Sequence, residues 1–270
     1  MLTGALGFSL AILMGLTLGL IGTGGSMMSV PIMVYLFHVT PVAATGYSLL
    51  VVGSTALVGA FSYWQKGMIR IKNTFIFVIP STIMILLTRR YILPQMPDPI
   101  LTLGQLDVSK DSFIMVMFAF LMLMAGMMAL KPIRVNDKAK QNPSKHLIKL
   151  ILGSGAVGFF AGLVGAGGGF LIIPVLLTLF QLSMHEAVGT SLAIIMVNSL
   201  IGFQGDLVAG IEINWRILGP FLMFAVLGML LGIKTSEHVD NTRLKQYFAY
   251  FMLGLAGFIL LEELFQGAIG

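Results

Sequence analysis

Gly22-Thr23-Gly24-Gly25-Ser26 and Gly165-Ala166-Gly167-Gly168-Gly169 each interrupt an apolar run of more than thirty residues, 5 to 37 and 147 to 180. One bilayer crossing takes roughly 20 residues. Each run is therefore too long for a single straight helix, and the glycines predict a break into two arms of about 13 to 15 residues that enter and leave by the same side.

The two runs are copies. Laying Gly15–Gly67 on Gly158–Gly210 at an offset of 143, without a gap, gives sixteen identities in 53 positions, among them Gly22/Gly165, Gly24/Gly167, Gly25/Gly168, Pro31/Pro174, Ser48/Ser191 and Gly67/Gly210. Further apolar runs fall at 42 to 64, 72 to 93, 112 to 130, 187 to 208, 216 to 234 and 244 to 261. The expected fold is an all-α polytopic membrane protein of eight segments in two repeats of four. The N-terminal transmembrane repeat is 1–130, a Lys-, Pro- and Asn-rich linker is 131–146, and the C-terminal transmembrane repeat is 147–270. Composition agrees: 57% of the 270 residues are hydrophobic and 10% charged, against about 25% charged in a soluble domain. There is no cysteine, which removes thiolate chemistry and Cys-based metal sites. The N-terminus lacks a basic n-region, and no removable signal peptide is read there.

The net charge of +5 reads as an orientation signal. With the linker cytoplasmic and both broken runs re-entrant, twelve of the sixteen cations lie inside, and Arg89, Arg90, Lys110 and Arg216 lie outside. Two straight crossings instead give ten inside and six outside. The re-entrant arrangement leaves three crossings per half, so the second repeat is inverted relative to the first and both termini lie outside a cell membrane.

Neither glycine string fits a nucleotide site, since neither has the dinucleotide spacing, a strand-to-helix setting or a following Lys-Ser or Lys-Thr. At membrane depth such glycines unwind the backbone, and the half-helix N-termini that follow carry partial positive charge and free N–H donors. A pair of them makes an anion site. The outer glycines, Gly15-x-x-x-Gly19 and Gly158-x-x-x-Gly162, suit close helix packing.

Gly22-Thr-Gly-Gly-Ser-Met-Met-Ser-Val-Pro31 and Gly165-Ala-Gly-Gly-Gly-Phe-Leu-Ile-Ile-Pro174, each followed by Gly-x-Ser-Leu (Gly46 to Leu49, Gly189 to Leu192), resemble the twin signatures of the TauE/SafE family of sulfite exporters and toluenesulfonate uptake permeases. The resemblance covers nearly the whole chain. It implies secondary transport of a small anion such as sulfite, an organosulfonate or a related sulfur compound. The chain departs from the family pattern at Ser26, where a third glycine is common.

Expected substrate-binding residues are Gly22, Thr23, Gly24, Gly25, Ser26, Gly165, Ala166, Gly167, Gly168 and Gly169, together with Ser48 and Thr55 on segment two and Ser191 and Asn198 on segment six. Within each of those pairs the spacing is seven residues, which places the two on one helical face. Asp206 and Glu186 are the candidates for coupling to a proton or another ion. Arg89-Arg90 either snorkel to the outer surface or draw anions to an entrance. The four histidines lack metal-ligand spacing, and no cofactor, nucleic-acid partner or enzymatic activity is expected. Partners are the small anion and the lipid bilayer; the sequence does not fix the oligomeric state. The alternatives are, from another class, a passive anion channel and, as a third reading, a membrane scaffold or assembly protein.

Overall fold

The computed structural model describes residues 2–103, 106–130, 143–165, 167–208, 210–211, 213–236 and 241–269. The expected contributions of Ala166 and of linker residues 131–142 lie outside these. Backbone amides with no water to bond must be satisfied within their own segment, and the apolar runs accordingly fold as helices. In order these are α1 (Leu2–Ile21), α2 (Ser26–Pro31), α3 (Pro41–Gln65), α4 (Ile71–Leu87), α5 (Leu93–Gln95), α6 (Lys110–Leu130), α7 (Pro143–Val164), α8 (Gly169–Thr178), α9 (Met184–Val208), α10 (Trp215–Thr235) and α11 (Asn241–Ile269). π-helical turns continue α2 over Ile32–Leu36 and α4 over Thr88–Ile92. A short hairpin pairs β1 (Leu101–Leu103) with β2 (Leu106–Val108). Among the described residues, six helices are long and apolar enough to cross a membrane: α3, α4 with its continuation to Gln95, α6, α7, α9 and α10.

Both long runs break at their glycines, but not into equal arms. α1 has 20 residues against 11 for Ser26–Leu36, and α7 has 22 against 10 for α8. The glycines stand past the middle of each apolar run, and the first arm also recruits residues outside it, Leu2 to Gly4 in one half and Pro143 to His146 of the linker in the other. α7 is long enough by itself to span. The arms nevertheless run antiparallel. Gly7 near the start of α1 lies against the Phe37 ring beyond the end of α2, and Gly25 folds back onto Met14 and Leu18. In the second copy Gly153 faces Leu179, and Gly168 sits on Ala161 and Val157.

Small residues set the helix packing. α1 lies along α10 and α7 along α4. A Cβ added to Gly15 would overlap the Ala225 carbonyl, one on Gly228 the Ile12 carbonyl, and one on Gly158 the Ser81 carbonyl. These backbones touch, as the spacing of Gly15 and Gly19 and of Gly158 and Gly162 suggested. At the centre α3 and α9 cross in opposite directions, with Gly46 beside Asp206, Gly53 beside Leu200 and Gly59 beside Leu192. α4 and α9 run in the same direction, with Ser81 beside Asn198, Ile85 beside Gly202 and Arg89 beside Asp206. Pliable Met14, Met27 and Met33 and the rings of Phe77, Phe118 and Phe221 fill the core. Phe75, Phe120, Leu152 and Met223 are exposed by 60% or more, an apolar exterior suited to lipid tails.

Candidate functional site

The first break turns on Gly22 (φ +81°) and the second on Gly165, Gly167 and Gly168 (φ +72°, +64° and +71°). L side chains resist this left-handed region, so the glycines place the breaks. The two breaks meet. A Cβ on Gly169, the first residue of α8, would stand 2.8 Å from Ser26 Oγ at the start of α2 and 3.4 Å from the Thr23 carbonyl oxygen. The N-terminal turns of α2 and α8 thus converge, and their first N–H groups have no acceptor within their own helices. Gly24 and Gly25 are buried beside them.

α3 and α9 wall the breaks. The Ser191 hydroxyl lies 2.8 Å from the Val188 carbonyl and 3.1 Å from the Gly22 carbonyl, while Thr45 packs on Gly165. Gly167 faces Ser199, Ile195 and Val52. Among the described residues the hydroxyls of Ser29, Ser48 and Ser199 are buried without a hydrogen-bond partner. That is a strong signal, because an unmade buried hydrogen bond costs about 1–3 kcal/mol.

Not every expected residue faces the breaks. The Thr55 hydroxyl donates to the Val51 carbonyl on its own helix (2.6 Å). The Asn198 amide is turned to α4: Thr82 donates to its Oδ1 (2.8 Å), and its Nδ2 donates to Ser81 Oγ (3.0 Å). Ser199, the next residue, is the one that reaches the second break. Glu186 is bound by Arg70 at the surface (Nε to Oε1 2.7 Å). Asp206 is buried, and its partner is the equally buried Arg89. Of the two alternatives for Arg89, its burial overturns snorkelling; Arg90 is exposed and lies over the Tyr91 ring. The roles of Ser81 and Thr82 as partners of Asn198 and of Arg89 as partner of Asp206 were not legible from spacing, since each partner sits on a distant helix.

The two ends of the site differ. Toward Lys66 a small cavity of about 50 Å³, lined by Leu20, Tyr63, Lys66, Met68, His185, Val188 and Ser236, reaches Val188, the residue packed on Gly22. At the opposite end the corresponding path is Gly165, Thr45, Gly46 and Asp206, and it terminates in the Arg89–Asp206 pair. A buried, hydroxyl-rich centre with a narrow cavity at one end suits a small polar solute.

The family model described as "Sulfite exporter TauE/SafE" matches residues 7–259. The chain belongs to this family. Similar curated proteins agree with that membership. A "Probable membrane transporter protein" of Xylella fastidiosa (strain 9a5c) is 26% identical over 92% of this chain and 91% of its own length. The "Probable membrane transporter protein YunE" of Bacillus subtilis (strain 168) is 25% identical over 96% and 99%, and YdhB of the same organism, named likewise, is 28% identical over 92% and 96%. No solved structure matches. With its family, these names and its membrane-length helices, the TauE/SafE protein described here is a multi-pass membrane transporter.

Proposed function

We propose that this TauE/SafE protein is a secondary active transporter of a small oxyanion, with sulfite or an organosulfonate as the substrate class that the family description suggests. The observation that carries the reading is the convergence of the α2 and α8 N-termini at Ser26 and Gly169. Two partial positive charges and their amides point into one buried place. The unpartnered hydroxyls of Ser29, Ser48 and Ser199 add donors. In this reading Gly22, Thr23, Gly24, Gly25 and Ser26 hold the anion from one side, and 165–169 from the other. Ser191 and Ser48 complete the shell, while Asn198 ties α4 to it.

The antiparallel crossing of α3 and α9 and the matching contacts of the two halves support an inverted repeat. The hairpin course of α1–α2 and α7–α8 supports re-entrant pairs. Alternating access then follows from rocking one repeat on the other about the breaks. Lys66, Arg70 and Lys234 would face the cytoplasm with the linker, and both termini the exterior of the cell membrane. Asp206, the carboxylate buried in the core, is where a coupling proton would act.

Purified protein in proteoliposomes tests this. Sulfite or methanesulfonate is expected to accumulate above equilibrium when a proton gradient is imposed. Purely downhill flux at very high turnover would identify a channel, and no anion-dependent flux would remove transport of this class altogether.

A further inference from the structure

The Arg89–Asp206 pair is not something this architecture requires. The contact of Gly59 with Leu192 and Met229 is repeated by Gly202 with Leu49 and Ile85, which equates α3 with α9 at an offset of 143 and α4 with α10 at 144. At these offsets Asp206 corresponds to Tyr63 and Arg89 to Ile233. At that end Ile233 is apolar and buried, and the Tyr63 hydroxyl donates to the Gly19 carbonyl (3.2 Å). The two positions that match Arg89 and Asp206 therefore pack without an ion pair between them. Burying two charges costs several kcal/mol per ion before their attraction offsets it, and apolar replacements are often neutral or stabilising. Stability alone does not account for the pair.

The guanidinium is also underused. Arg89 is 1% exposed and its Nη1 donates to Asp206 Oδ2, yet Nε and Nη2 have no hydrogen-bond partner among the described residues. These two nitrogens form one edge of the guanidinium and present parallel N–H bonds, the fork that binds two oxygens of a carboxylate, sulfonate or phosphate. The preceding residue, Thr88, packs on Gly162 one turn before the second break, and its hydroxyl is likewise buried and unpartnered. Asp206 Oδ2 abuts Gly46, whose neighbour Thr45 touches Gly165. Three unused donors thus stand beside the sealed approach to the glycine breaks.

We propose that Arg89 is a second oxyanion-binding residue, at the sealed end of the transport path. Its Nε and Nη2 edge, with Thr88 Oγ1, receives two or more oxygens of a small oxyanion as that end opens, while Asp206 holds Nη1 and keeps the guanidinium oriented. The ligand class follows from the fork: an anion with at least two oxygens on one centre, with chloride discriminated against. The inference rests on the anion-transport reading above and adds a site separate from the breaks.

Concentration-dependent uptake of sulfite and methanesulfonate into proteoliposomes, with chloride as competitor, separates the possibilities. Arg89→Lys keeps the charge but loses the fork, and is expected to raise KM about tenfold or more. Thr88→Val, which changes little in shape, is expected to raise KM severalfold. Asp206→Asn keeps an oxygen that accepts from Nη1 and so keeps the guanidinium oriented, and KM should stay level even as uphill accumulation is lost. Unchanged KM in both Arg89→Lys and Thr88→Val, or a similar rise in KM for Arg89→Lys and Asp206→Asn, overturns the proposal and leaves a merely structural ion pair. If Arg89→Lys fails to fold, Thr88→Val decides alone. Wild-type protein that carries neither anion overturns the transport reading itself, and this inference with it.

Discussion

Two constraints meet at Gly167: its φ of +64° and a Ser199 hydroxyl standing where a Cβ would be. Gly167→Ala should insert and run as a folded protein yet lose at least nine-tenths of anion flux, because the break itself must shift; wild-type flux would remove Gly167 from the site. Asn198 makes a different prediction. Its amide joins α9 to Ser81 and Thr82 of α4, so Asn198→Ala should cost about 1–3 kcal/mol of stability by stranding its partners. Combining it with Thr82→Val in denaturation experiments should give a non-additive double-mutant cycle; strict additivity would contradict the contact. The glycines whose role is conformational were legible in the sequence, because glycine adopts a φ such as that of Gly22 or Gly165 without the Cβ clash other residues meet. Residues whose role depends on a partner were not. Arg89 and Asp206 are 117 positions apart, and nothing local tells a buried arginine from one that snorkels.

At the scale of elements the glycines divide into kinds that look alike in sequence. Gly15 touches the α10 backbone at Ala225, whereas Gly67, with φ +68° in the turn after α3, has open space where a Cβ would go. Gly67→Ala should therefore cost only the left-handed strain of about 1–2 kcal/mol, read from thermal unfolding in detergent. Gly15→Ala should drive α1 off α10 and leave little monodisperse protein. Equal losses for the two would contradict the close α1–α10 packing. The existence of each break was legible from length and glycine content. The arm lengths were legible in part, since the glycines stand past the middle of each run; the rest was not, because α7 also draws in the linker's Pro143 to His146 and helix ends answer to tertiary contacts as well as to hydropathy.

At the scale of the whole molecule, the halves repeat each other's contacts far beyond their sixteen sequence identities. The Arg70 amide donates to the Thr190 hydroxyl (3.1 Å), and the Asn214 amide donates to the hydroxyl of Tyr47, the counterpart of Thr190 (2.8 Å). His38 and Gln181, also counterparts, share a positive φ of +52° and +54°. The correspondence between the halves was legible because glycine, proline and serine recur in register at the offset of 143. The difference between the two ends was not, since it lies in the side chains on which the copies diverge: Tyr63 against Asp206, Ile233 against Arg89. For the proposed inverted topology, a reporter fused to the C-terminus should score as external; a cytoplasmic score would contradict it.

Alternating access requires the two ends to open in turn around the glycine breaks. The chain has no cysteine, so single thiols can be placed without further changes. Met68 lines the cavity at one end, and its counterpart Ile211 lies beside Gly46 at the other. Labelling of Met68→Cys and Ile211→Cys by a membrane-impermeant maleimide should respond to sulfite or methanesulfonate in opposite directions, one site gaining reactivity as the other loses it. Simultaneous reactivity at both ends, or rates unaffected by either anion, would contradict alternating access.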